Sequence, residues 1–149
     1  MSQTQDILLQ TFLKKITPDK PLIGIDYGAV RIGVAVSDAA RRAAVPFKVI
    51  AKISELDDIV ASRRAGGFVI GLPLQPDGTE GTTAVQARLF ARRLAEKFNL
   101  PIYWVDERLS SVQTDEALKA SHMRAGKRKK VLDAHVAARL LQRVLDIKK

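Results

Sequence analysis

Pro21-Leu22-Ile23-Gly24-Ile25-Asp26-Tyr27-Gly28 is followed almost at once by Arg31-Ile32-Gly33-Val34-Ala35-Val36-Ser37-Asp38. Two short apolar runs flank a tight, glycine-containing bend, the pattern of a β-hairpin. Val, Ile and Ala fill the runs and suit a pleated, half-buried surface. Strict alternation puts Asp26 on the same face as Leu22 and Gly24. A carboxylate at the end of a buried strand is costly unless a cation, an Arg or backbone N–H groups compensate its charge. The stretch therefore nominates Asp26 as the first member of a site.

On the N-terminal side of the hairpin, Thr17-Pro18-Asp19-Lys20-Pro21 breaks regular structure. Residues 4–15 form an amphipathic helix through Ile7, Leu8, Phe12 and Lys15, part of an extension over residues 1–20 ahead of one domain at 21–149. On the C-terminal side, a turn carrying Arg41 and Arg42 leads to a third strand, Val45–Ala51. Ser54 caps a helix with Asp57 in the box position. Its buried stripe is Ile53, Leu56, Ile59 and Val60, and Gly66 and Gly67 end it. Phe68–Pro73 is a continuous apolar run, the mark of a parallel strand covered on both faces. Gln75–Gly81 is a loop. Thr83 and Gln86 form a capping box for a helix with Ala87, Phe90, Ala91, Leu94 and Phe98 on one face, stopped by Asn99 and Pro101. Ile102–Val105 is the fifth strand. Ser110 opens a further helix to about Ala120, Ser121–Lys130 is a mobile loop, and a last helix covers about 131–146. The order βββαβαβαα gives an α/β domain. Its mixed five-stranded sheet is an antiparallel meander followed by parallel strands, with helices on both faces.

The 149 residues, 46% hydrophobic and 28% charged, suit one soluble globular domain with a real core. There is no cysteine, which excludes disulfides and thiolate metal sites, and two distant histidines make a zinc site a poor fit. No apolar run approaches the roughly 20 residues of a membrane span. No signal peptide is evident, so the expected compartment is the cytoplasm. The formal charge of +9 favours a polyanionic partner.

Three acids stand out. Asp26 ends the first strand, and Asp106 and Glu107 end the fifth; ligands of open α/β sheets gather at such carboxyl ends. If strands one and five are neighbours, the groups meet at one edge. Asp106 alternates with Ile102 and Trp104, Glu107 with Tyr103 and Val105, so only one of the two shares the site face. Asp133 lies on the apolar stripe of the last helix with Val136, Ala137, Leu140 and Val144. Its bland explanation is a helix N-terminus, where the dipole favours an acid. An all-oxygen set without Cys or His suits a hard cation, Mg²⁺ or Mn²⁺. Two such ions about 3.5–4 Å apart activate water and stabilise the leaving oxygen of a phosphodiester.

Gly24-Ile25-Asp26-Tyr27-Gly28 with Arg31–Asp38 resembles the opening of the YqgF (RuvX) family. Gly71-Leu72-Pro73 with Asp77-Gly78, then Val105–Ser111, then Asp133 with Ala137-Ala138, are similar to its later motifs in order and spacing. The match covers about residues 21–146. The resemblance implies an RNase H-like fold and a metal-dependent nuclease that matures the 5′ end of 16S ribosomal RNA, with Holliday-junction resolution as the older proposal. It implies Asp26, Glu107 and Asp133 as catalytic acids and metal ligands. Asp26 would bridge two ions, and the products would carry a 5′ phosphate and a 3′ hydroxyl. Two departures stand out. Ala29-Val30 replaces the Thr-Lys usual before the Arg, and Ser110-Ser111 replaces a Thr pair.

The segment from Lys119 to Lys130 carries Lys119, Arg124, Lys127, Arg128, Lys129 and Lys130, with His122 and no acid, and directly precedes Asp133, which places a bound phosphate backbone near the acids. Arg31, Arg108, Arg124, Lys127, Arg128, Lys129 and Lys130 are the expected nucleic-acid contacts. Tyr103 and Trp104 read as core or strand-edge residues rather than base-stacking platforms. The expected partners are an rRNA precursor or ribosomal particle, with branched DNA second, and the expected state is a monomer or weak homodimer. Two rivals exist. Asp26-x-Gly28 resembles a phosphate loop of actin-like nucleotide-binding lobes, but 149 residues leave no room for the second lobe. A non-catalytic RNA-binding protein would need the basic surface without the acids.

Overall fold

The hairpin forms where the alternation places it. In the computed structural model, which describes residues 3–107 and 125–147, β1 (Leu22–Tyr27) pairs antiparallel with β2 (Ile32–Ser37). Asp26 lies opposite Gly33 and Tyr27 opposite Ile32. β3 (Ala44–Ile50) completes the meander on the outer side of β2. Its Pro46 sits on a sheet edge, where a missing N–H is tolerated. β4 (Gly67–Leu72) runs parallel to β1, and β5 (Ile102–Asp106) parallel to β4. The sheet order is β3-β2-β1-β4-β5. Strands one and five are therefore not neighbours. Each crossover steps one strand further from β1, and β4 takes the place between.

Helices cover both faces. α2 (Asp57–Arg63) and α3 (Thr82–Phe98) pack on one; α1 (Gln3–Lys14) and α4 (Ala125–Ile147) pack on the other. Several helix ends differ from the sequence reading. α2 is preceded by a 3₁₀ turn, Ile53–Leu56, and Ser54 is not its cap. Instead the Glu55 carboxylate accepts from the backbone N–H groups of Ala51 and Lys52, at 2.6 and 3.0 Å. Arg64, at φ 52°, ends α2 ahead of the two glycines. α3 starts after Gly81 with no side-chain cap, so Thr83 makes no capping box, while Asn99 closes it at φ 52° as its type favours.

α4 begins at Ala125, so residues 125–130 of the expected loop are helical. Lys and Arg are good helix formers, and the one weak residue, Gly126, falls in the first turn, where it does least harm. The rest of that loop and the helix expected over 110–120 lie outside the described residues. α1 docks by Leu9 and Phe12, with Ile16 just beyond its end, leaving Ile7 and Leu8 exposed. Phe12 and Tyr103 stack with ring centroids 5.6 Å apart. Tyr103 is buried and Trp104 half-buried, so both belong to the packing of β5 as anticipated.

Candidate active site

The two strands of the hairpin and α4 fix two of the acids. Alternation turns Leu22, Gly24 and Asp26 toward α4, while Ile23 and Ile25 enter the opposite core. The α4 backbone lies directly on Gly33: a Cβ there would collide with the carbonyl of Asp133. Gly33 is the register partner of Asp26. The one residue in the hairpin that lets α4 touch the sheet thus sets Asp133 beside Asp26. α4 starts eight residues before Asp133, so the bland reading of that acid as a helix N-terminal partner does not hold; that effect fades within the first turn.

Glu107 has to come from two strands away. It follows β5, and its side chain reaches over β4 at Gly71, where an added Cβ would stand 2.6 Å from Oε2 and 3.2 Å from the Glu107 Cβ. Alternation along β5 sends Tyr103, Val105 and Glu107 to the α4 face, with Ile102 and Trp104 against the other core. Glu107, not Asp106, therefore shares the face of Asp26. Asp106 instead acts on Glu107 as a neighbouring negative charge.

The electrostatics are those of a site short of positive charge. Asp26 and Glu107 lie within hydrogen-bonding reach of each other. Burial, then the Glu107 charge and contact with its carboxyl, then the Asp133 charge push the Asp26 carboxyl up to about 9. Burial above all raises Glu107 as well. Asp133 is raised by burial, against the opposing pull of Arg31. The Arg31 Nε donates to Asp133 Oδ2 at 2.9 Å. Oε2 of Glu107 is buried and has no hydrogen-bond partner among the described residues.

An orphaned buried carboxylate oxygen, beside a second acid holding a proton it would ordinarily lose, fits a hard divalent cation. Among the described residues, no three acids already converge on one point. Asp26 and Glu107 are together; Asp133 is close enough to act on Asp26 but is bound to Arg31. A cavity of about 800 Å³ opens beside Glu107, bounded by the 73–83 segment and Arg143.

Of the expected basic contacts, Arg31 stands at the rim of the acids, tied to Asp133. Lys127, Arg128, Lys129 and Lys130 lie in the first two turns of α4. Arg108 and Arg124 fall outside the described residues. Gly33 and Gly71 are part of the site that motif spacing leaves out, although a glycine inside a strand signals close approach of another group. Arg31, expected on nucleic acid, is attached to Asp133 instead.

Comparisons with known proteins bear on the family and the fold. The family model described as RuvX, Holliday junction resolvase, matches residues 20–147. A Burkholderia ambifaria protein named "Putative pre-16S rRNA nuclease" is 40% identical over 134 residues, covering 86% of this chain and 90% of that one. A protein of the same name from Phenylobacterium zucineum is 44% identical over 137 residues, 87% of this chain and 88% of that one. Among solved structures, T. thermophilus RuvC in complex with Holliday junction substrate superposes with a TM-score of 0.53 over 87% of this chain and 96% of that one. At 14% identity this likeness concerns the RNase H-like fold alone. With the family model covering nearly the whole chain and relatives this similar over most of their length, the chain belongs to the RuvX family.

Proposed function

We propose that this protein is a metal-dependent nuclease whose substrate is the precursor of 16S ribosomal RNA, cut at its 5′ end, with Asp26, Glu107 and Asp133 as the catalytic and metal-holding acids. The observation that carries the reading is the half-buried Asp26–Glu107 pair, with a buried Glu107 Oε2 unpartnered among the described residues and an Asp26 carboxyl held far above its usual range. The substrate comes from the names of the relatives.

Mg²⁺ or Mn²⁺ is the cation the donor set suits. When bound, it supplies Lewis acidity toward water and toward the leaving oxygen of the phosphodiester. The rest is done by the chain. Asp26 and Glu107 concentrate negative charge at the carboxyl ends of β1 and β5. The glycines at 33 and 71 admit α4 and the Glu107 side chain. Burial among apolar strands lowers the local dielectric, which strengthens each charge interaction made there.

The basic run supplies the affinity for the backbone. Its four cations belong to the N-terminal end of α4, whose first turn holds no acid. The helix dipole makes that placement unfavourable for cations, and a polyanion relieves it. Lys127 and Lys130 lie about 9 and 4.5 Å before Asp133 along the helix axis, at 1.5 Å per residue. A phosphate held by them is therefore close to the acids.

The test is cleavage of a precursor 16S rRNA fragment, beside a four-way DNA junction, with Mg²⁺ supplied and withdrawn. Cleavage of the RNA that stops in excess chelator and in Asp26→Asn, with products ending in 5′ phosphate, supports the reading. Products ending in 2′,3′-cyclic phosphate would reject it, since an RNA 2′-hydroxyl would then be the nucleophile. Cutting of the junction alone would move the substrate to branched DNA.

A further inference from the structure

Arg31 is held against one of the three acids, and its arrangement is incomplete. Its Nε holds Asp133 Oδ2 at 2.9 Å, while its two terminal nitrogens have no acceptor among the described residues. A guanidinium that meets a carboxylate through one nitrogen has spent little of its capacity; two-point contact with a carboxylate or phosphate is its strong mode. The bend that carries it is tight. A Cβ on Gly28 would stand 2.5 Å from the Arg31 carbonyl, so the hairpin fixes the Arg31 backbone close to the end of β1. The side chain is 40% exposed, and the unused nitrogens are within reach of an arriving substrate.

We propose that Arg31 gates the third carboxylate: it holds Asp133 while nucleic acid is absent and transfers to a backbone phosphate when nucleic acid binds, freeing Asp133 to join Asp26 and Glu107 around a divalent cation. The proposal rests on the nuclease reading above. Its basis is the contrast within the site, where Asp26 and Glu107 are already paired while the third acid, tied to Arg31, leaves no three-acid cluster among the described residues. A resident guanidinium also repels an incoming cation. Arg31 is thus a positioning residue, acting on the site through Asp133. The consequence is reciprocal: nucleic acid tightens cation binding and the cation tightens nucleic-acid binding, by about tenfold, a usual size for coupling between sites.

Calorimetric titration with Ca²⁺, which limits turnover, tests this on the full chain with and without an RNA fragment from the 5′ end of precursor 16S rRNA. Phosphates attract Ca²⁺ by themselves, so the readout is the difference between wild type and Arg31→Gln. The expected result is that Arg31→Gln binds Ca²⁺ more tightly than wild type without RNA and gains less from RNA. Arg31→Lys, which keeps the charge but not the fork, provides the same reading if the Gln variant unfolds: its gain from RNA falls below that of wild type. Weaker Ca²⁺ binding by Arg31→Gln without RNA would overturn the gate, because Arg31 would then merely orient Asp133. Equal coupling in wild type and the variants would overturn it as well. Failure of wild type to bind the RNA at all would instead strike the nuclease reading.

Discussion

The two faces of this sheet are built on opposite rules. Against α2 and α3 the strands present Ile23, Ile25, Ile32, Val34, Phe68 and Ile70, large and fully or nearly fully buried. Against α4 the same strands present Gly24, Gly33, Gly71, Asp26 and, beyond β5, Glu107. The first face maximises apolar burial. The second gives up side-chain volume so that a helix backbone and two carboxylates can approach closely. Both faces bury an apolar core, but only the α4 face also carries the acids, so substitutions there should touch chemistry as well as stability.

The largest effect should come from Gly33→Ala. The new methyl group meets the Asp133 carbonyl, a backbone atom that can move only with α4. A loss of about 3 kcal/mol in urea unfolding, together with loss of cleavage, is expected. On the other face, Ile25→Val should cost about 1 kcal/mol and leave cleavage intact. Equal losses of activity from the two would erase the contrast between the faces.

Gly71→Ala should damage function more than fold. Its Cβ would press on Leu140 Cδ1 at 2.5 Å and Glu107 Oε2 at 2.6 Å, both ends of flexible side chains. We expect about 1 kcal/mol of destabilisation but about a 100-fold loss of cleavage as Glu107 is displaced. Wild-type turnover in this variant would show that Glu107 need not cross β4.

The charged face should also show itself in pH. The folded-state pKa of Asp26 is raised from 3.8 to about 9. A carboxyl raised in this way contributes stability that is complete below its unfolded value and is lost as pH rises through the folded one. Chelator-treated protein should therefore melt at progressively lower temperature as pH climbs from about 4 toward about 9, and Asp26→Asn should flatten the trend. A wild-type melting temperature that climbs over that window would contradict the assignment.

The smallest and most graded effect belongs to the start of α4. Neutralising Lys127 to Lys130 one at a time should reduce the log–log salt slope of binding. The expected change is about 0.7 for each phosphate left without its cation on a single strand, or about 0.9 on duplex DNA. An unaltered slope would show that these residues do not touch the backbone.

The hairpin, the order of elements and the face of Asp26 were legible because alternation leaves a strand little freedom once one face is buried. Glu107 over Asp106 was half legible: period two showed that only one could share the face, but not which. The proximity of Glu107 to Asp26 was readable only under a wrong assumption, that β1 and β5 are adjacent. What replaces adjacency is the missing side chain at Gly71, a signal local to β4 that acts only once the strand order is known. The stripe expected for α1 holds for Phe12 but not for Ile7 and Leu8: Ile7, Leu8, Leu9, Phe12 and Leu13 offer more than one stripe, and tertiary packing chose Leu9 and Phe12. The Arg31–Asp133 pair joins residues 102 positions apart, and no local pattern reports such a contact.

Asp26 and Glu107 crowd two acids into one spot that a divalent cation would neutralise, and without it Asp26 keeps its proton to about pH 9. Thermal unfolding of chelator-treated protein at neutral pH, before and after Ca²⁺ or Mn²⁺ is added, tests this without recourse to any substrate. Melting temperature should rise clearly when the cation is added to wild type. Asp26→Asn, which needs no proton to sit beside Glu107, should melt higher than metal-free wild type and gain little from the cation. An Asp26→Asn protein stabilised by the cation as much as wild type would contradict the account.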